Sequence, residues 1–256
     1  MDPMNFLNFK KLLVCSSMFI SSIGLSQTIV NTYDLITPID SLWSATTELQ
    51  GTFALGNGVF TALNSGIGLG RSVGAKTQAW FLGGYNFASE SGEEIYSTGF
   101  INIRTHFLVT KTSQLQAFYQ KQFNSALQIS DRSLIGLNMT KTLESEIYTY
   151  NITSGAFLED ETYSDESEMK ILRGNIAASI TADFEDLDIN MAIYYQPDLT
   201  NIRDNRMLGE LAFQFPIREQ LVFEIESALR FDSDPHLDLV PLDFSMVIGM
   251  VYSISN

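Results

Sequence analysis

Cysteine and basic residues are scarce in this sequence. It holds a single cysteine, Cys15, which cannot form an intramolecular disulfide or supply the several thiolates of a structural zinc site. Its 15 lysines and arginines stand against 30 aspartates and glutamates, which gives a net charge of −15. Nucleic-acid binding needs clustered lysine and arginine to neutralise phosphates, so the composition argues against a nucleic-acid partner.

Long apolar runs are also missing. Residues 12–25 are almost wholly apolar or small, but they fall short of the ~20 residues that a helix needs to cross a bilayer. This segment follows Lys10 and Lys11 and ends in Gly24-Leu25-Ser26, which offers small residues for cleavage. These three parts predict a secretory signal peptide at 1–26, with the mature chain beginning at Gln27. A periplasmic leader is expected at 27–41, before the first strand.

Short alternations of apolar and polar residues run through the rest of the chain. The clearest is the last, where one parity holds Phe244, Met246, Ile248, Met250, Tyr252 and Ile254. Its length is that of a tilted strand crossing a membrane, about twice the length of an average soluble strand. The same pattern predicts twelve strands, near residues 42–55, 59–71, 76–88, 95–109, 114–125, 132–141, 146–158, 172–184, 189–195, 207–215, 221–231 and 244–254.

The predicted links alternate between short and long. Tight links are expected at 72–75, 110–113, 142–145, 185–187 and 216–220, and longer polar links at 88–94, 127–130, 159–167, 197–205 and 232–241. Membrane barrels place short turns in the periplasm and longer loops outside. The alternation therefore predicts that both termini lie in the periplasm.

Aromatic residues fall near the ends of the predicted strands. On the outward parity, one end holds Trp43, Phe107, Phe184, Phe213, Phe215, Phe223 and Tyr252, and the other holds Phe53, Phe87, Phe123, Tyr195, Phe231 and Phe244. Two such bands are typical of rings at the two membrane interfaces, whereas a soluble β-sandwich would gather its aromatics at mid-strand. Trp80, Phe60 and Phe118 do not fit this register, which predicts mis-phased strands or bulges near them. The fold class expected is all-β: an antiparallel up-and-down transmembrane β-barrel of about 12 strands over residues 42–256, in the outer membrane of a Gram-negative bacterium.

Three short segments resemble a known family. They are Leu55-Gly56-Asn57, the run from Gln116 through Phe118-Tyr119 to Asn124, and Arg132-Ser133-Leu134-Ile135-Gly136. Together they resemble the YdiY-like salt-induced outer-membrane protein family, a domain of unknown function, over most of residues 45–256. The resemblance implies an outer-membrane barrel and no catalytic residues. Gly249, Tyr252 and Ile254 are similar to the signal read by the barrel assembly machinery, which is the expected folding partner.

Three further features favour structural explanations. Gly66, Gly68 and Gly70 share one parity of a strand and do not open a helix, so they predict small inward residues rather than a dinucleotide loop. His106 is expected on the inward parity near the periplasmic rim, with no serine visibly paired with it. The acidic segment 159–168 lacks the glycine-centred spacing of a calcium loop and predicts a solvated surface loop, with cation binding as the alternative.

A polar set on the inward parity gives the candidate functional residues. The expected lumen-facing residues are Glu48, Arg104, Arg173, Asp188, Glu210, Glu224, Glu226 and Arg230. Such a lumen fits a small passive channel that weakly favours cations, and equally a non-conducting structural or interaction barrel with acidic outer loops. A lipid-modifying barrel enzyme is the third hypothesis. No catalytic residue, cofactor or metal is predicted, and the expected partners are outer-membrane lipid, lipopolysaccharide and small solutes.

Overall fold

The computed structural model describes residues 42–55, 59–218, 221–236 and 239–252. The predicted signal peptide at 1–26 and leader at 27–41 lie outside the described residues. Within these described residues twelve strands follow one another, with one short 3-10 turn (Ser125–Leu127) between the fifth and sixth. They are β1 (Trp43–Leu55), β2 (Val59–Ser72), β3 (Thr77–Glu90), β4 (Glu93–Leu108), β5 (Ser113–Asn124), β6 (Ile129–Glu144), β7 (Tyr148–Tyr163), β8 (Glu168–Asp183), β9 (Asp188–Pro197), β10 (Asn205–Arg218), β11 (Leu221–Asp232) and β12 (Leu242–Tyr252).

All twelve strands form one antiparallel sheet in the order β1 to β12, each paired with its neighbours in sequence. The predicted fold class and strand number are confirmed. Within the described residues no hydrogen-bonded register joins β12 back to β1. The strands run from 10 to 16 residues, and a tilted strand needs about 9–11 to cross a bilayer. Among the described residues, no helix has the length and apolar character to span a membrane.

The polarity of the two faces of the sheet is the reverse of that in a soluble protein. The outer face carries exposed apolar side chains, such as Ile135 at 57% and Ile152 at 58% exposure. The inner face buries polar ones, such as Arg132 at 0% and Asn102 at 0%. Soluble proteins rarely bury charged residues while leaving rows of large apolar ones exposed. A barrel with a polar interior and an apolar outer surface is built in this way.

The links correct the predicted alternation of short and long connections. β3 runs to Glu90 and β4 begins at Glu93, so the expected long link at 88–94 is a two-residue turn. Ser91 and Gly92 have φ values of 52° and 89°, as a tight hairpin turn of this kind requires. The loop expected at 159–167 shortens to 164–167, because β7 continues to Tyr163. Only the links 198–204 and 233–241 remain long, both at the same end of the sheet, which we call the loop end.

The opposite end, where β1 begins, is called here the terminal end. There the outer face exposes Trp43, Phe107 and Phe184 at 57%, 45% and 42%. The guanidinium carbon of Arg71 lies 4.5 Å from the Trp43 ring centroid, and Tyr148 meets Phe184 edge-on at 6.3 Å. At the loop end, Phe53, Phe123 and Phe244 are exposed on the outer face. The predicted two bands of outward aromatics are therefore present at these positions.

Trp80, Phe60 and Phe118 were expected to mark mis-phased strands or bulges. Phe60 is half-buried on β2, and register shifts are found in β3 between Ala88 and Ser89 and in β5 between Gln122 and Asn124. The strands of Trp80 and Phe118 are nevertheless not mis-phased at these two rings. Both lie in register on the inner face. Trp80, at 4% exposure, packs with Leu82 and Phe100, and Phe118 lies 6.3 Å from Phe157.

Glycines on neighbouring strands make room for these inner rings. Trp80 pairs with Gly70 and Leu82 with Gly68, and both glycines are buried. A Cβ added at Gly136 would lie 2.6 Å from the Cβ of Phe157 and 2.8 Å from Cε1 of Phe118. The glycines of β2 thus face inward as predicted, since Ile67 and Leu69 between them are exposed at 39% and 41%.

Candidate functional site: a charge cluster on the inner face

Five charged residues lie together on the inner face near the loop end. Arg132 of β6, Glu159 and Glu161 of β7, Arg173 of β8 and Arg206 of β10 are each at most 3% exposed. We call these five residues the charge cluster. Each stands on the inward parity of its strand, so the pleat directs all five side chains into the same space.

Glu159 is the centre of the charge cluster. Its carboxylate accepts a hydrogen bond from Nε of Arg173 at 2.5 Å and one from Nη1 of Arg206 at 2.8 Å. The Arg132 guanidinium donates to the same carboxylate, with Nε at 2.8 Å from Oε1. The negative charge of Glu159 thus partly neutralises three guanidinium groups. Burying these groups without an acid between them would be prohibitively costly.

Glu161 adds the second carboxylate. Arg206 donates to it through Nη1 at 3.1 Å and Nη2 at 3.2 Å, and the Tyr163 hydroxyl donates at 2.7 Å. Nε of Arg132 lies 2.8 Å from its Oε1. Arg206 belongs to β10 and Glu161 to β7, with β8 and β9 between them in the sheet. The sheet therefore curves enough for side chains of non-adjacent strands to meet across its inner face.

Two aspartates complete the compensation at the edge of the charge cluster. Asp204 accepts from Nη1 of Arg173 at 3.0 Å, and Asp232 accepts from Nε of Arg206 at 2.8 Å. Their side chains are 12% and 18% exposed, so they are the most solvated members of the network. Three arginines meet two glutamates and two aspartates, and every described arginine in the network has an acidic partner.

The described residues of the link 233–241, which are 233–236 and 239–241, contact this end of the inner face. His236 stacks on Tyr163, with ring centroids 3.8 Å apart and an interplanar angle of 12°. Nε2 of His236 lies 3.5 Å from Oδ2 of Asp165, in the turn between β7 and β8. Hydrogen bonds from the Ser167 hydroxyl and backbone hold the pKa of Asp165 below its ordinary value, so this partner is a carboxylate at neutral pH.

Amide side chains fill much of the remaining inner face. Asn102 donates to Gln120 at 2.9 Å, and Gln120 donates to Gln122 at 2.5 Å. Asn175 links Asn138 and Gln196 in the same way, at 3.0 and 3.3 Å. These buried amides bond one another and fill space that water would otherwise occupy, although Oδ1 of Asn102 and Oε1 of Gln196 have no hydrogen-bond partner among the described residues.

The predicted lumen-facing residues divide into three groups. Arg173, Glu210 and Arg230 are buried at 1%, 8% and 5% exposure, and only Arg173 belongs to the charge cluster. Arg104, Asp188, Glu224 and Glu226 are half-buried, and the Glu48 side chain lies outside the described ones. Glu224 accepts from Nε2 of Gln214 at 2.5 Å, and Nη1 of Arg230 donates to Ser245 at 3.1 Å. His106, also expected inward, lies 4.6 Å from the Trp80 ring.

Glu159 and Glu161 contradict the prediction of a solvated acidic loop at 159–168. Both belong to β7, where the inner parity of Thr153 and Phe157 continues through them to Tyr163. Extending that parity into the acidic segment would have placed them inward. Arg132 and Arg206 were not predicted as inward residues. The predicted sixth strand began at Arg132 and the predicted tenth strand began after Arg206, whereas β6 begins at Ile129 and β10 at Asn205. Among the described residues, no group of three or more histidines, aspartates or glutamates is arranged to hold a metal ion.

Comparisons with known proteins support the fold. No protein-family profile matches the chain, and no curated protein matches it. Among solved structures it is similar to the NanC porin, with a TM-score of 0.51 and 8% identity over 84% of this chain and 100% of that one. At such low identity this likeness shows a shared β-barrel fold alone.

Two autotransporter domains also match. The translocator domain of autotransporter NalP from Neisseria meningitidis has a TM-score of 0.45 and 13% identity, covering 83% of this chain and 87% of that one. The β-domain of the Bordetella autotransporter Brka has a TM-score of 0.43 and 11% identity, covering 83% and 98%.

Proposed function

We propose that the chain is an integral outer-membrane β-barrel that is non-conducting at rest, with a structural or interaction role. An apolar outer face, aromatic bands at both strand ends and a barrel fold support the membrane placement. Membership of the YdiY-like family is part of this proposal and rests on the three sequence segments given above. No catalytic activity is included.

The orientation proposed has the terminal end in the periplasm and the loop end outside. Its support is that the two long links, 198–204 and 233–241, share the loop end. That end also carries the exposed acids Asp160, Asp165 and Glu168, which suit contacts with cations bound to lipopolysaccharide. Assembly into the membrane would use the barrel assembly machinery.

The observation that carries the non-conducting state is the complete burial of the charge cluster. Water in an open pore would wet the charged side chains that line it, yet Arg132 and Glu161 are 0% exposed. Arg206 of β10 bonds Glu161 of β7, so the network bridges strands that are not adjacent rather than joining neighbours along the wall. Opening a pore at this level would separate ion pairs that are fully desolvated, which is costly.

Refolded protein in a planar bilayer tests this proposal. We expect no stepwise ion currents from the wild-type chain in about 1 M salt, where the high concentration of mobile ions makes the current through any open pore easiest to detect. A general porin refolded by the same procedure is the positive control. Regular single-channel steps from the wild type would contradict the non-conducting state but would leave the assignment of the β-barrel fold unchanged.

A narrow channel that favours cations is the second candidate. Its support lies on the β9–β11 wall, where Asp188, Glu224 and Glu226 are only half-buried. The predicted lumen set holds five acids (Glu48, Asp188, Glu210, Glu224, Glu226) against three bases (Arg104, Arg173, Arg230). Fixed charge acts strongly on ions in a narrow pore, so even this small excess of acids would favour the passage of cations.

If currents are seen, the reversal potential across a salt gradient should show cation preference. Replacing Glu224 and Glu226 together by glutamine should reduce it, because two charges that point the same way would be lost. An exchange of equal charge on the outer rim, Glu166→Gln with Glu168→Gln, is the matched control. A reversal potential that the Glu224→Gln, Glu226→Gln chain leaves unchanged would remove these residues from the conduction path.

A further inference from the structure

Four basic residues lie along one half of the rim at the terminal end. Arg71 stands on the outer face of β2, and Lys141 stands on the outer face of β6. Lys76 and Lys111 lie between them, in the turns that join β2 to β3 and β4 to β5. All four residues are exposed. We call these four residues the basic arc.

Backbone hydrogen bonds join the parts of the basic arc to one another. The N–H of Leu108 donates to the carbonyl oxygen of Lys76 at 2.8 Å, which places the first turn beside the end of β4. The N–H of Thr142 donates to the carbonyl oxygen of Thr112 at 2.8 Å, which places the second turn beside β6. The basic arc is therefore one continuous surface across the terminal ends of β2 to β6.

No acidic residue interrupts this surface along the strands and turns that form it. Three stretches of chain make it up, and none of them contains aspartate or glutamate: 71–79, 103–117 and 139–142. The net charge of the whole chain is −15, so a stretch of rim with bases alone departs strongly from the average. Among the described residues, no carboxylate forms an ion pair with Arg71, Lys76, Lys111 or Lys141. The positive charge of the basic arc is thus available to a partner outside the chain.

Large apolar side chains are exposed between these charges. Trp43, Val73 and Val109 are 57%, 61% and 48% exposed, and the Arg71 guanidinium lies over the Trp43 ring. Val73 and Val109 belong to the same two tight turns as the lysines, where a water-facing turn would carry polar residues. Ammonium groups beside an exposed apolar band fit an interface of charged headgroups and hydrocarbon, because a lysine stem can lie on the apolar surface while its head reaches the charged layer.

We propose that the basic arc binds the phosphate groups of anionic phospholipids in the membrane leaflet at the terminal end. Charge complementarity selects this class of lipid, since the phosphate of a zwitterionic lipid already has a cationic group of its own beside it. The acyl chains of the bound lipid would lie over the apolar outer face, as the lipid around any barrel does. This inference rests on the membrane placement in the proposed function, and it adds a lipid preference confined to one half of one rim.

The other half of the same rim provides a matched contrast. The links 145–147 and 184–187 also expose apolar side chains, Ile147 at 40% and Phe184 at 42%. Their charged residues are all acidic: Glu146, Glu185 and Asp186. These acids would repel an anionic headgroup, so we expect no enrichment of anionic lipid beside them.

Tryptophan quenching by brominated lipids tests the proposal. The chain holds two tryptophans, of which Trp43 lies on the basic arc and Trp80 is buried on the inner face at 4% exposure, where lipid does not reach it. The full chain is refolded in phosphatidylcholine vesicles that contain an equal fraction of either brominated phosphatidylglycerol or brominated phosphatidylcholine. We expect Trp43 to show about fivefold enrichment of phosphatidylglycerol at low salt, the effect of one basic residue near an anionic surface. Added salt should weaken this preference by screening.

Moving the reporter separates the basic arc from the rest of the rim. In a Trp43→Phe background, Phe107→Trp places the reporter beside both turns, because Phe107 pairs with Thr77 and precedes Leu108. It should show the same preference, and Phe184→Trp in the same background should show none. Lys76→Gln with Lys111→Gln should abolish the preference at Phe107→Trp, whereas Lys76→Arg with Lys111→Arg should preserve it.

Equal quenching of Trp43 and of the Phe107→Trp reporter by the two brominated lipids would overturn the proposal. So would an equal preference at Phe107→Trp and Phe184→Trp, or one that survives the two glutamine substitutions. The comparison of the two reporters needs no lysine substitution, so it decides the matter even if the glutamine variant fails to fold. Absence of quenching of Trp43 by either lipid would instead contradict the membrane placement itself. Failure of the lipid site and failure of the proposed function are therefore distinguishable.

Discussion

Replacing Glu159 by glutamine should lower the free energy of unfolding by about 3–5 kcal/mol, the range found when one partner of a buried ion network is removed. Glu159 is 2% exposed and is the carboxylate on which Arg132, Arg173 and Arg206 converge. Glutamine keeps the size and one acceptor oxygen but takes away the negative charge. Three guanidinium groups would then share Glu161 and two partly exposed aspartates, in a place where water cannot compensate them.

The measurement is a denaturant titration of the chain folded in lipid vesicles, followed by tryptophan fluorescence. Asp160→Asn is the matched control, since the neighbouring residue undergoes the same change from carboxylate to amide. Asp160 faces outward and pairs with Lys170 at 3.3 Å, with both side chains more than half exposed, so its loss should cost less than about 1 kcal/mol. Similar losses for the two variants would mean that the charge cluster does not stabilise the barrel.

Much of the fold could be predicted from the sequence because lipid imposes a simple demand. Each spanning strand must present an apolar side chain at every second position, and this alternation persists over ten or more residues. Twelve strands were predicted, and twelve are found in the part of the chain that the structure describes. The strand ends were predicted less well. β7 continues to Tyr163 through a segment where both parities are polar, so apolar alternation does not mark where this strand ends.

The charge cluster could not be predicted from the periodicity of the sequence. Parity assigns each residue to a face, but it does not say which residues of that face touch. Arg206 meets Glu159 and Glu161 across two intervening strands, and this depends on how strongly the sheet curves. The stack of His236 on Tyr163 is a similar case, since nothing in the sequence around His236 indicates that its partner lies more than seventy residues earlier in the chain.

The inner aromatic residues show the limit of placing rings by the two outward bands. Trp80 did not fit those bands, and the prediction explained this by a mis-phased strand or a bulge rather than by an inward ring. Trp80 does not follow the outward pattern because its side chain lies on the inner face. The sequence signal for this placement was the glycine opposite it on the neighbouring strand. Gly70 stands opposite it, as Gly68 stands opposite Leu82, and such glycines leave the space that a large inward ring needs.

Arginine at Ile193 should cost about 2–4 kcal/mol of folding free energy, the range for a lipid-facing charge at the middle of a membrane barrel. Ile193 lies midway along β9 and is 49% exposed on the outer face. Its cross-strand neighbours are Gly209 and Ala178, which offer no acid or hydrogen-bond acceptor in their side chains. A guanidinium there must reach for the interface or draw water into the hydrocarbon, and both are costly.

The same titration in vesicles would measure the loss, with an inner-face arginine as its counterpart. Gln214→Arg places the guanidinium where Nε2 of Gln214 lies 2.5 Å from the Glu224 carboxylate, so the new charge gains a partner. Its cost should stay below about 1 kcal/mol, because a partly hydrated ion pair replaces a hydrogen bond. Leu211 and Ile225 share the outer parity with Ile193, and arginine at either should also be costly. Equal costs at Ile193 and Gln214 would show that the exposed apolar face does not lie in lipid, and the membrane placement would fail although the twelve-stranded sheet would stand.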